Sequence, residues 1–197
     1  MFGLDPSIAA VKALKKFQEE NITSVVELGA GLGRDTLFFA KNSIHVHALD
    51  YSSSSIQMIN EKAKKQNLSK FISAKKFDVR QKLLFNDNSV KGFFSHMLYC
   101  MALTNSDLKN LNNEIFRVLA SQGLNIYTVR HTNDKDYKNG AHIGEDLYEN
   151  DGFIVHYFSE EKVKQLSNGF ENLTIEKFEE GNFPRKLFFV INKKIVW

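Results

Sequence analysis

A short apolar run that ends in three alternating glycines constrains this chain more than any other feature. Val25, Val26 and Leu28 read as a buried strand, and Glu27-Leu-Gly-Ala-Gly-Leu-Gly33 leads straight into the helix-like stretch Arg34–Lys41. Glycine has no Cβ, so the backbone can take φ > 0 without steric cost and a ligand can lie against the main chain. The N–H groups that open the following helix point at whatever occupies the loop. Strand, glycine turn and helix in that order predict a nucleotide-cofactor site. The plain alternative is a tight β–α turn that holds no ligand.

The spacing narrows the cofactor. A dinucleotide fingerprint reads G-x-G-x-x-G. Here Gly29, Gly31 and Gly33 give G-x-G-x-G, and Arg34 stands where the third glycine would be. Glu27 lies two positions before the first glycine, and Asp50 ends the next apolar segment, 44–50. A carboxylate at that strand end can hold both hydroxyls of a ribose. This E-x-G-x-G-x-G, with an acid closing the second strand, resembles class I S-adenosylmethionine-dependent methyltransferases.

Along the chain, strands and helices alternate. Asp5-Pro6 can open a helix, with Ile8, Val11, Leu14 and Phe17 following at helical spacing. Strands are predicted over 24–28, 44–50, 71–77, 90–96 and 124–129, and helices over 34–41, 53–66, 107–119 and 160–166. A serine run offers N-cap oxygens to the helix at 53, and Ser121-Gln-Gly123 separates the helix at 107 from the fifth strand. Two closing strands, 173–178 and 187–191, flank Glu179-Glu-Gly-Asn-Phe-Pro184, where Gly181 and Pro184 break the pattern and suit a hairpin. Such alternation predicts an α/β fold with a mostly parallel, twisted sheet covered on both faces. With no repeat or linker in view, the 197 residues are expected to form a single domain. Residues 1–20 would be its N-terminal helix and residues 130–158 a substrate lid, because long connections of that kind are commonly functional.

The resemblance spans about residues 20–195 and implies more than the glycine loop. It implies a three-layer sandwich around a seven-stranded, mostly parallel Rossmann-like sheet, order 3-2-1-4-5-7-6, ending in an antiparallel hairpin. Its cofactor is S-adenosylmethionine, with S-adenosylhomocysteine as product. Asp78 and Val79, after the third strand, would meet the adenine through a carboxylate and a backbone N–H. The run Arg34-Asp35-Thr36 is similar to the tellurite-resistance-type small-molecule methyltransferases, where the arginine meets the methionine carboxylate. A cation in a first helical turn is opposed by the helix dipole, so it calls for such a reason. Tyr51, beside Asp50, joins the expected cofactor set, as do Ser95 and His96 at the end of the fourth strand. That strand end lies between methyl donor and acceptor, and His96 could take a proton there; a strand-end histidine satisfied by backbone is the competing reading. His131 and Tyr137 are further catalytic candidates, and His142 and Tyr148 further acceptor contacts.

Composition excludes several other classes. A formal charge of +3 is too small to imply nucleic acid. One cysteine, Cys100, permits neither an intrachain disulfide nor a multi-cysteine zinc site, and fits a reducing compartment. The acids Asp134, Asp136, Glu145, Asp146, Glu149 and Asp151 match no calcium-loop spacing, so no metal is expected. The opening residues lack a basic, apolar leader and no apolar run suits a membrane span, which points to the cytoplasm. The phenylalanine count, 17, predicts an aromatic core or a subunit contact and leaves oligomeric state open. The expected activity is methyl transfer to a small-molecule acceptor. A non-catalytic cofactor-binding protein and a nicotinamide-dependent oxidoreductase are the rival readings.

Overall fold

The computed structural model describes residues 5–181 and 184–195. Residues 1–4 of the expected N-terminal segment, and 182–183 of the expected hairpin turn, lie outside the described residues.

The chain runs α1 (Ile8–Glu19), β1 (Ser24–Leu28), α2 (Arg34–Lys41), β2 (His45–Asp50), α3 (Ser53–Lys65), β3 (Ile72–Lys76) and β4 (Val90–Ser95). A 3-10 turn at Leu98–Cys100 leads to α4 (Asn105–Val118) and β5 (Leu119–His131). After these come β6 (Ala141–Gly144), β7 (Leu147–Asn150), β8 (Phe153–Phe158), α5 (Glu160–Leu166), β9 (Glu171–Glu180) and β10 (Arg185–Lys193). The main sheet has the order β3-β2-β1-β4-β5-β10-β9. Strands β1 to β5 are parallel, and β10 runs antiparallel to both β5 and β9. This is the expected α/β sandwich with its closing hairpin.

Successive side chains on a strand face opposite ways, and here each face feeds a separate core. Val26, Phe93, Tyr127, Val129 and Phe188 pack with Leu108, Leu111 and Ile115 of α4 and Val163 of α5. Val25, Phe94, Ile126 and Phe189 pack with α1, with Phe39 of α2 and with Ile59 of α3. Helices therefore cover both faces, and the sheet stays dry between them. Phenylalanine is prominent in both layers: Phe39 meets Phe17 and Phe94 edge-on, with ring centroids 6.0 and 5.0 Å apart.

Three local expectations are corrected. First, α1 begins at Ile8 with Ser7 as its N-cap, and its buried side is Ala9, Ala10, Ala13, Leu14 and Phe17, whereas Ile8 and Val11 are exposed. Small alanines let the helix lie close to its neighbours, so the inward face is turned from the one the larger side chains suggested. Second, no break separates α4 from β5: the strand begins at Leu119 and absorbs residues 121–123 through Gln122 at φ 65 and a register shift against β4. The helix also starts earlier, at Asn105, because Thr104 and Asp107 form a reciprocal capping box.

Third, the segment after β5 is not an irregular loop. It folds as the antiparallel meander β6-β7-β8, which joins the end of β5 through Arg130↔Tyr157 and His131↔Phe158. Asp151 and Gly152 take φ values of 50 and 79 between β7 and β8, the two-residue turn with both φ positive that suits a hairpin.

Candidate functional site

The glycine loop is held in place by the main chain around it. Gly29 and Ala30 donate their N–H groups to the Leu49 carbonyl at 2.8 and 3.1 Å, tying the loop to the end of β2. All three glycines have positive φ: 73, 52 and 79 for Gly29, Gly31 and Gly33. Their reasons differ. A Cβ on Gly33 would stand 2.7 Å from Cγ1 of Ile59, so this glycine lets α2 close against α3. A Cβ on Gly31 would meet nothing within 4 Å, so that glycine faces open space.

Asp50 closes the cradle. Its Oδ2 accepts the Gly31 N–H at 2.8 Å and its Oδ1 the Ser52 N–H at 2.9 Å, which fixes the carboxylate at the loop's rim. Each carboxylate oxygen has a second lone-pair site, so the pair can still accept two hydroxyls. Tyr51 next to it is largely exposed. Glu27 sits below the loop, buried, and accepts the Thr36 hydroxyl at 2.5 Å. Burial, with Asp35 nearby, pushes its carboxyl up to about 8.

Arg34 and Asp35 open α2 over this loop. Arg34 pairs with Asp35 through Nε–H to Oδ1 at 3.0 Å and a second N–H to Oδ2 at 3.3 Å. Asp35 is buried and also accepts the N–H and hydroxyl of Ser7, each at 2.8 Å. The amino end of α1 is thus fastened across the site. At the next strand end Asp78 is partly exposed and engages Arg80, whose guanidinium holds its carboxyl below the usual range. Val79 packs against the core beside it.

The carboxyl end of β4 lies against the loop. A Cβ on Gly29 would touch Leu98 at 3.0 Å, so residues past Ser95 lie directly against the glycine loop. Ser95 is buried, and its hydroxyl has no hydrogen-bond partner among the described residues. His96 is largely enclosed, with Nδ1 3.1 Å from Thr128 Oγ1 and Nε2 3.5 Å from Glu180 Oε2. Burial pushes the ring down to about 4; Asp35 opposes this, and Arg34 and Arg185 add to it.

Glu27, Gly29, Gly31, Gly33, Arg34, Asp50, Tyr51, Ser95 and His96 therefore gather at the carboxyl edge of β1, β2 and β4, with Asp78 and Val79 just past the end of neighbouring β3. His131 and Tyr137 stand apart. His131 stacks on Phe188 at 4.2 Å and its Nδ1 accepts the Asn133 N–H, while Tyr137 donates to Asp146 inside the meander and packs on Tyr148 and Tyr157. His142 also lies on Tyr148. Sequence reasoning missed Ser7, Thr128, Glu180 and Arg185. Glu180 had a signal: it is two residues beyond Phe178, so period-2 alternation puts it on the same strand face, just past the core.

A cavity of about 570 Å³ opens at the opposite, amino edge of β1 and β4, lined by Asn21, His47, Phe85 and Lys91 among others. It contains none of the groups above and has no part in the site. Among the described residues, no group of three or more His, Cys, Asp and Glu side chains could hold a metal ion, and no helix is long and apolar enough to cross a membrane.

Residues 25–123, half of the chain, match the model of a methyltransferase domain. The chain belongs to this methyltransferase family. A comparison with curated proteins gives no match. Solved structures share the fold. An S-adenosylmethionine-dependent methyltransferase from Methanosarcina mazei is 20% identical with a TM-score of 0.79, over 91% of this chain and 98% of the other. TehB from Haemophilus influenzae is 18% identical with a TM-score of 0.71, over 93% of this chain and 62% of its own. An S-adenosylmethionine-dependent methyltransferase from Clostridium acetobutylicum is 12% identical with a TM-score of 0.75, over 95% and 91%. The cofactor of this methyltransferase is S-adenosylmethionine, and the residues present fit it: a cradle open at Gly31, a fixed carboxylate at Asp50 and an orphaned hydroxyl at Ser95.

Proposed function

We propose that this methyltransferase transfers the methyl group of S-adenosylmethionine to a small-molecule acceptor by in-line displacement. The observation that carries the small-acceptor reading is enclosure. The side chains of His96 and Glu180 are only 9% and 13% exposed, roofed by α1, the β9–β10 pair and β5. A few-atom nucleophile suits such a recess, and a polymer does not.

When bound, the cofactor supplies an electrophilic methyl on a sulfonium. The chain's own residues bind, orient and exclude water. Gly29, Gly31 and Gly33 present backbone, Asp50 with Tyr51 takes the ribose, and Asp78 with the Val79 N–H takes the adenine. Arg34 meets the amino-acid carboxylate, Ser95 and His96 line the reacting end, and Glu27 braces the loop from below. We assign the meander β6-β7-β8 to the acceptor side. It is tied to the β4–α4 connection by His156 Nδ1 with the Leu103 carbonyl at 2.6 Å, and by Glu145, which accepts the Asn105 N–H at 2.7 Å. A water-poor site strengthens each electrostatic contact made inside it.

The first experiment is calorimetric titration of the protein with S-adenosylmethionine, S-adenosylhomocysteine and NADH, followed by S-adenosylhomocysteine release with small acceptors. Binding of the first two and not of NADH, then turnover, is the expected result. Binding of NADH alone would overturn the reading, and binding without turnover of any acceptor would favour a cofactor-holding protein.

A further inference from the structure

Glu180, the last residue of β9, brings a carboxylate beside His96. Its Oε1 accepts the Ile8 N–H at 3.2 Å, so one oxygen is fixed at the amino end of α1. Its Oε2 is buried, makes no hydrogen bond among the described residues, and faces His96 Nε2 at 3.5 Å. On the other side of that ring, Thr128 Oγ1 already accepts the Met97 N–H at 2.9 Å. A hydroxyl engaged in this way has its own hydrogen to give, and giving it to Nδ1 leaves the ring hydrogen on Nε2, toward Glu180. The imidazole then steadies the carboxylate without competing with it for a proton.

We propose that Glu180 is the catalytic base and that the acceptor is a small neutral hydroxyl compound, a proposal that rests on the methyl-transfer reading above. An anionic acceptor such as a thiolate has no proton to lose and would meet Glu180 as a like charge. A neutral hydroxyl has the opposite needs: it is a poor nucleophile until its proton has somewhere to go. The acceptor O–H donates to Oε2. Its oxygen forms the new bond to the methyl carbon while the carbon–sulfur bond breaks, leaving the electron pair on sulfur. The O–H proton passes to Oε2. The products are a methyl ether, S-adenosylhomocysteine and protonated Glu180, which returns its proton to water as they leave.

The surroundings suit a base that must hold and release a proton. Burial raises the Glu180 carboxyl, while the Ile8 N–H and Arg34 hold it down and Asp35 pushes it up. His96 from β4 also faces this carboxyl, and Arg185 of β10 acts on the same ring. Apo hydrogen bonds in catalytic sites are commonly long and tighten in the complex, so a 3.5 Å separation is compatible with the role.

The test uses the full chain and Glu180→Gln, which keeps the side-chain shape and the bond to Ile8. Calorimetry with S-adenosylmethionine should give affinities within about twofold of each other, because a base toward the acceptor is not a cofactor ligand. In carboxyl-labelled resting protein, the NMR signal lost in Glu180→Gln should titrate above the ordinary carboxylate range. S-adenosylhomocysteine release is then read with catechol, thiophenol and benzylamine. Catechol should be the substrate, and its turnover should fall about 100-fold or more in Glu180→Gln. Thr128→Val is the second variant: it should move the His96 ring hydrogen off Nε2, read in nitrogen shifts, and lower catechol turnover. The proposal is overturned by turnover of thiophenol or benzylamine alone, or by catechol turnover that survives Glu180→Gln. An ordinary Glu180 titration, or no turnover of any probe despite cofactor binding, overturns it too. Failure of the wild type to bind the cofactor strikes the methyl-transfer reading instead.

Discussion

The two halves of the recess are built by different means. On the proposed cofactor side, residues 27–35 and 50–52 lie within one β–α–β unit, whose three loop glycines all have positive φ. On the proposed acceptor side, the side chains come from four distant elements: His96 after β4, Thr128 on β5, Glu180 on β9 and Arg185 on β10. A cofactor shared by many enzymes can be met by local geometry. A particular acceptor needs convergence of groups that the fold alone brings together.

That contrast can be broken at single residues. The largest expected effect is at Gly33. Alanine there requires a left-handed backbone and places a Cβ 2.7 Å from Ile59, so Gly33→Ala should cost about 2–4 kcal/mol of stability in urea denaturation. Gly31→Ala shares the backbone cost without the clash, and should lose about 1–2 kcal/mol while blocking the cofactor in calorimetry. Equal stability losses for the two would erase the distinction between a packing glycine and a ligand-facing one. Asp50→Ala removes a charged acceptor and should weaken S-adenosylmethionine binding by about 100-fold, and, by taking the acceptor from the Gly31 and Ser52 N–H groups, should cost about 1–3 kcal/mol without unfolding the domain. Unchanged affinity would detach Asp50 from the cofactor.

Glu27→Gln sharpens the same comparison through pH. The Glu27 carboxyl, pushed up to about 8 when folded, keeps a proton that the unfolded chain gives up near 4.5. Between those values the native state binds more protons, so stability falls as pH rises from 4.5 toward 8. Urea denaturation at several pH values should show this slope in the wild type and a flatter one in Glu27→Gln. The smallest effect is in the meander. Gly152→Ala, at φ 79 but with nothing within 4 Å of its Cβ, should cost about 1–2 kcal/mol locally and leave cofactor affinity unchanged.

The same division decides what the sequence revealed. The local placement of Glu27, the three glycines and Asp50 was legible because their spacing sets the backbone: a turn, a helix opening and a strand end. The order of the main sheet followed from alternation and from the resemblance. Glu180 was hidden because the hairpin around it reads as turn residues, and only pairing of β9 with β10 and contact with α1 places it beside His96. The meander was hidden because its strands are short and polar, such as Ala141–Gly144 with its largely exposed pattern. Asp151-Gly152 was the readable sign. Asp35 stands in the first turn of α2, where the helix dipole favours any acid, and its bonds to Ser7 depend on how α1 lies across the sheet.

The way the meander is attached has an evolutionary consequence. It shares just two register pairs with β5, and the strand partners within it are its own. A lineage could therefore rewrite the β6–β7 hairpin, residues 141–150, without disturbing the ladder that supports the glycine loop. With the meander on the acceptor side, as proposed, such a graftable hairpin lets acceptor preference diverge while the glycine loop is inherited intact. For the protein engineer, the same boundaries mark where a foreign cap could be spliced in.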